Sequence, residues 1–229
     1  RDIDHYSVRE TFLNKDFNCF IMITLFLENF VLLFLAIDPI SLVPVFASLT
    51  KGLNKSDIAK LCLVSGFTTF TILTLFWFFG SKILEVMGIS LDSFKIVGGV
   101  FLLIISYELV FEKRQERRSK NAKANTDDET IMSLATFPLS FPLIVGPSAI
   151  TISMLLSAKP YESVKEHFIG FSPVIVVLTL TVISLWVSSR MAERLPVWVV
   201  GVLQRIFGLL LGALAIEFVI QGLKQAFAI

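Results

Sequence analysis

With 229 residues, 55% of them hydrophobic and only 17% charged, and a mean hydropathy of +0.77, the chain is too apolar for an ordinary soluble domain. Lipid must replace water over much of its surface. A formal net charge of +1, with basic residues dense in one short loop only, excludes a nucleic-acid binder, because phosphate contact needs a basic face. The expected partners are membrane lipid and a small-molecule solute.

Residues 1-21 mix charge and aromatics without a clean amphipathic period and lack a basic region followed by a small-residue cleavage site. They read as an N-terminal extension without function rather than a secretory signal. Taking about 20 apolar residues per crossing, spans are predicted at 22-49, 58-80, 93-111, 131-157, 168-189 and 201-224. The first and fourth would be some 40 Å of straight helix against a hydrocarbon core of about 30 Å, so each must kink, tilt or turn back.

Both long spans are broken by prolines. Ala36-Ile37-Asp38-Pro39-Ile40-Ser41 and Pro44 interrupt the first; Pro138, Pro142 and Ile144-Val145-Gly146-Pro147-Ser148-Ala149 interrupt the fourth. The linker 112-130, the one long polar run, divides the chain into a first repeat, 22-111, and a second, 131-229. Ile37-Asp38-Pro39 falls on Val145-Gly146-Pro147, Gly66-Phe67 on Gly170-Phe171, Lys82 on Arg190 and Gly98 on Gly208, at offsets of 104 to 110. A repeat of three spans must enter the membrane in the opposite sense the second time. The expected fold is therefore all-α, six spans in a 3+3 inverted repeat.

Lys and Arg set the orientation. Twelve fall on the side of the first loop, the linker and the segment after the fifth span; five fall on the other, with three more in the extension. The linker is expected to be cytoplasmic and both termini outside.

Pro39 lacks an N–H and clashes with the carbonyl of Leu35, while Asp38, as the residue before proline, is pushed away from helical angles. Pro147 acts likewise on Leu143. Each break should offer loose carbonyls on one side and, where the helix restarts, unpaired N–H groups at a positive dipole end. A free amino acid has one cationic and one anionic end, so such a cavity suits a small zwitterion without needing charged side chains. The candidate lining is Asp38, Pro39, Ser41, Gly146, Pro147, Ser148 and Thr151, with Ser140 as a further hydroxyl. Asp38, the one acid beside a break, is either a proton or cation carrier or the cap of the helix restarting after it.

Other features point to structure. Cys19 and Cys62 lie far apart and outside any C-x-x-C spacing, so they are apolar fillers. His5 and His167 have no partners at metal-ligand spacing, and no metal or other cofactor is expected. With no H-E-x-x-H or nucleophile elbow either, the chain is not expected to be an enzyme. Gly98-Gly99 and Gly208-x-x-x-Gly212 read as helix packing. Glu28 belongs at the outer interface and Glu108 at the cytoplasmic boundary.

The chain resembles the MarC family, the six-span neutral amino acid transporter family, from Met22 to about Leu223. The resemblance rests on Ile37-Asp38-Pro39 with Pro44-Val45-Phe46, and on Met87-Gly88-Ile89-Ser90 followed by Phe94-Lys95-Ile96-Val97-Gly98-Gly99. Phe137-Pro138-Leu139, Pro142-Leu143-Ile144-Val145-Gly146-Pro147 and Arg205-Ile206-Phe207-Gly208 complete it. It implies a bacterial inner-membrane protein moving small neutral amino acids such as glycine or alanine, coupled to protons or cations. Two departures stand out: Ser41-Leu42 where Gly-Asn is frequent in the family, and Glu217 where Gln is frequent. The second makes Glu217 a coupling candidate beside Asp38.

Overall fold

A computed structural model of the chain describes residues 3-50, 53-111, 113, 131-191 and 197-227. Among these residues every regular element is helical. Five helices are long and apolar enough to cross a membrane: Phe20–Ala47, Lys55–Val86, Leu91–Val110, Val164–Ser189 and Gly201–Phe227. The pair Ile131–Ile144 and Pro147–Ser157, bent by 66°, supplies a sixth when counted as one broken span.

In chain order the elements are α1 (Ile3–Ile37), α2 (Pro39–Leu49), α3 (Lys55–Val86) and α4 (Leu91–Val110), then the single turn α5 (Ile131–Leu134). A wide, π-type stretch follows, Ala135–Ile144, and then α6 (Pro147–Ser157), α7 (Val164–Met191) and α8 (Val197–Phe227). Helix α1 runs through the expected boundary at residues 21 and 22 without a break. Apart from Lys113, the linker 112-130 lies outside the described residues.

Local chemistry sets the helix ends. Asn54 caps α3 by accepting from Asp57 N at 2.8 Å, and Ser90 caps α4 by accepting from Ser93 N at 3.1 Å. Between them Gly88 adopts φ +69°, a left-handed conformation that glycine takes without a Cβ penalty. There Ile89 N donates to Leu84 O at 2.9 Å, which closes α3 with a Schellman-type turn. The Ala135–Ile144 stretch is irregular because Phe137 (φ −137°, ψ 127°) and Phe141 (φ −127°, ψ 126°) each precede a proline, whose ring excludes the helical region for the residue before it.

Packing between the two halves is reciprocal. Helix α2 packs on α7 and α6 packs on α3; α1 packs on α7, and the Ala135–Ile144 stretch on α3; α3 meets α7 and α4 meets α8. The last two pairs run antiparallel. Trp77, Phe70 and Gly66 of α3 meet His167, Phe171 and Val182 of α7 in that order. Along α4, Ile96, Gly99 and Ser106 meet Gly222, Val219 and Gly212 of α8. The core sits between the halves, with Leu33, Phe46, Leu73, Leu102, Ile152 and Leu211 fully buried.

Close approach at α4–α8 explains the glycines there. A Cβ on Gly99 would stand 2.7 Å from Ala215 O and 2.6 Å from Val219 Cγ2, and a backbone oxygen cannot swing aside. Gly99→Ala is therefore expected to destabilise the protein by about 1–3 kcal/mol, the usual cost of overpacking. Thermal unfolding in detergent reads it; an unchanged midpoint would mean that the two helices part freely.

Candidate functional site

The first break is a single residue. Asp38 holds φ 53° and ψ 70°, a left-handed conformation that Asp tolerates better than most side chains. Its own N–H still donates to Phe34 O at 2.8 Å, so α1 ends properly before Pro39 opens α2 at a position that needs no N–H. Oδ1 of Asp38 accepts from Ser41 N at 3.3 Å, capping α2, and Ser41 Oγ donates to Oδ2. The second half then reaches across: Gln204 Nε2, on α8, donates to Ser41 Oγ. Asp38 is 6% exposed, Ser41 0% and Gln204 2%, so a carboxylate, a hydroxyl and an amide form one buried polar chain joining the halves.

The second break faces the first. Ser148 Oγ, on the first turn of α6, donates to Ala36 O at 3.4 Å, taking up a carbonyl beside the α1 break. Gly146 is the N-cap of α6 and offers no side-chain cap. Ala149 and Ile150 N donate to Gly146 O at 3.1 and 3.3 Å, so the helix start closes on its own backbone while its dipole end stays positive. Thr151 is buried and donates to Pro147 O at 2.9 Å within its own helix. Ser140 donates to Ala135 O at 2.5 Å and to Ser65 O at 3.3 Å.

Asp38, Pro39, Ser41 and Ser148 are thus brought together and buried, while Pro147 is exposed and Gly146 half-buried. Glu217 stands elsewhere. It is exposed on α8, thirteen residues from Gln204 and so about 20 Å along the helix, where its Oε1 accepts from Gln221 Nε2 at 2.9 Å. It shares an open groove between α1 and α8 with Glu28 and Lys159. The cavities described are lined by neither Asp38 nor Ser148.

Sequence reasoning passed over Gln204. The available signal was an uncharged amide in an apolar span, which lipid disfavours and which therefore faces protein. Among the remaining candidates, Cys62 is buried and free, and His167 accepts from Trp77 Nε1 at 3.3 Å within an aromatic cluster. The side chains of Cys19 and His5 lie outside the described residues. Among the described residues no three His, Cys, Asp or Glu side chains gather as metal ligands would.

Comparison with known proteins matches residues 23–227 to the model of the MarC family integral membrane proteins. The chain is 32% identical to the UPF0056 membrane protein YhcE of Escherichia coli (strain K12), over 88% of this chain and 93% of that protein. It is 34% identical to a UPF0056 membrane protein of Pyrococcus horikoshii, over 86% and 93% of the two chains. A UPF0056 membrane protein of Buchnera aphidicola subsp. Schizaphis graminum is 31% identical, over 90% of this chain and 94% of its own. No solved structure matches. A multi-pass helical chain with a matching family model over nearly its whole length, and with relatives covered almost end to end, belongs to the MarC family of integral membrane proteins.

Proposed function

We propose that the protein is a secondary transporter of small neutral amino acids such as glycine, alanine or serine, coupled to protons or cations. The observation that carries this reading is the meeting of the two breaks through Ser148 and Ala36. It sets a buried carboxylate, Asp38, near an uncapped helix start at Gly146, which is one seat for an ammonium and one for a carboxylate.

The proposed architecture is a 3+3 inverted repeat in a bacterial inner membrane, with the linker 112-130 cytoplasmic and both termini outside. Reciprocal packing supports it, and so does the antiparallel course of α3 against α7 and of α4 against α8, since equivalent helices must oppose each other when one half is inverted. Asp38, Pro39, Ser41, Gly146, Pro147, Ser148 and Thr151 form the proposed binding site. Asp38 is the proposed coupling group, and Glu217 is kept as a second.

One observation favours a different reading, a non-transporting membrane partner with a dry core: the polar groups at the breaks are buried against each other, and the cavities described lie away from them. Uptake separates the two. Purified protein in liposomes is expected to accumulate labelled alanine or glycine under an imposed proton gradient, and uptake no greater than that of protein-free liposomes would remove the transporter reading.

A further inference from the structure

Helix α8 meets α2 at Ser41 and Gln204 and meets α1 at the ring pair Phe34–Phe207, 6.1 Å apart and nearly perpendicular, and then α1 and α8 part. The groove that opens between them has a volume of about 590 Å³. Its inner wall is apolar, with Leu32 and Leu214, and its mouth carries Glu28, Lys159, Glu217 and Gln221. Opposite charges around an otherwise apolar groove match the two ends of a dipolar solute.

The cation is held in place. Lys159 Nζ donates to Asn29 Oδ1 at 3.0 Å and pairs with Glu28 Oε2 at 3.3 Å. Asn29 is fully buried and fixed in turn, because its Nδ2 donates to Gly170 O of α7 at 3.0 Å. An ammonium carries three donors, so these two contacts leave one for a third acceptor. On the facing helix Gln221 orients Glu217 through Oε1, which leaves acceptor capacity on that carboxylate. Lys159 is thus placed to take a solute's carboxylate and Glu217 its ammonium.

The groove also points at the buried site. From Leu32 to Asp38 along α1 is about 9 Å, and from Leu214 to Gln204 along α8 about 15 Å, at 1.5 Å per residue. Between the groove and the breaks stand the Phe34–Phe207 pair and Leu211, which is fully buried. We propose that this groove is the entry vestibule for a free zwitterionic amino acid, read by Lys159 and Glu217, and that Phe34, Phe207 and Leu211 close it from the Asp38–Ser41–Gln204 site. The proposal rests on the transporter reading and adds to it a first binding site and a gate.

The test is a binding measurement that requires no transport. Leu214→Cys is introduced into the full chain with Cys19→Ser and Cys62→Ala, and its alkylation by a water-soluble maleimide is timed in detergent. Alanine is expected to slow labelling fivefold or more, whereas propionate and ethylamine, each carrying half of the charge pattern, leave it unchanged. Lys159→Gln, and separately Glu217→Gln on its exposed face, are expected to abolish the protection while the unprotected rate stays the same. No slowing by alanine, undiminished slowing in both variants, or slowing by short-chain phosphatidylethanolamine in place of alanine would each overturn the proposal. Uptake without protection removes the vestibule alone; protection without uptake removes the transporter reading and leaves the site.

Discussion

Asp38→Asn is expected to lower gradient-driven alanine uptake by about 10- to 100-fold, the equivalent of one charge-assisted hydrogen bond of about 1.5–3 kcal/mol, while the protein stays folded. The substitution is informative because Asn keeps what the backbone needs. It tolerates the left-handed φ of 53°, and its side-chain oxygen still accepts from Ser41 N to cap α2. The charge goes, and with it the Oδ2 acceptor of the Ser41 hydroxyl. Asp38→Ala removes charge and cap together and puts a non-polar residue at positive φ, so it should also unfold earlier, by about 1 kcal/mol for the cap alone. Uptake under a proton gradient, with thermal unfolding alongside, reads both. If Asp38→Asn transports like the parent and Asp38→Ala is merely less stable, Asp38 is a helix cap and carries no solute or proton.

Much of the frame can be read from the chain because its causes are local. Pro39 and Pro147 stand about 108 residues apart, and each begins an 11-residue helix, since proline at the first helical position loses nothing while the residue before it must leave helical angles. The spans follow from length and apolarity alone, and their observed ends differ from the expected ones by a few residues, where caps such as Asn54 and Ser90 act. The Ala135–Ile144 stretch was legible only in part. Pro138 and Pro142 announce an interruption, yet the extended Phe137 and Phe141 show that two breaks in close succession replace one clean restart.

The polar partners were not legible, for a physical reason. Lys159 finds Glu28 across 131 residues and Gln204 finds Ser41 across 163. No periodicity within a span encodes such pairs, because they depend on how the halves dock. Glu217 illustrates this. The resemblance makes it a coupling candidate beside Asp38, and the structure places it on the open groove, about 20 Å along α8 from Gln204. Glycines fared better: Gly99 and Gly208 serve close helix packing as expected, since a missing side chain has one common use at membrane helix contacts.

The buried chain Asp38–Ser41–Gln204 makes a second strong prediction. Ser41 Oγ gives its proton to Asp38 and receives one from Gln204, using a hydroxyl's capacity to donate and accept at once. Ser41→Ala strips Gln204 of its acceptor in a fully buried place, and Gln204→Leu strips Ser41 of its donor; each is expected to cost about 1–3 kcal/mol. The double variant removes both members of that contact, while Asp38 Oδ1 still accepts from the backbone N–H at position 41 and caps α2. Its destabilisation should therefore fall short of the sum of the two by about 0.5–3 kcal/mol, the range for residues in direct contact. Unfolding in mixed detergent and SDS measures all four corners of the cycle. Strict additivity would mean that the hydroxyl does not bridge α2 and α8. With non-additivity, uptake should collapse in both single variants, because the amide that steadies Asp38 comes from the opposite half, and a rocking motion of one half against the other would have to make and break that contact in every cycle.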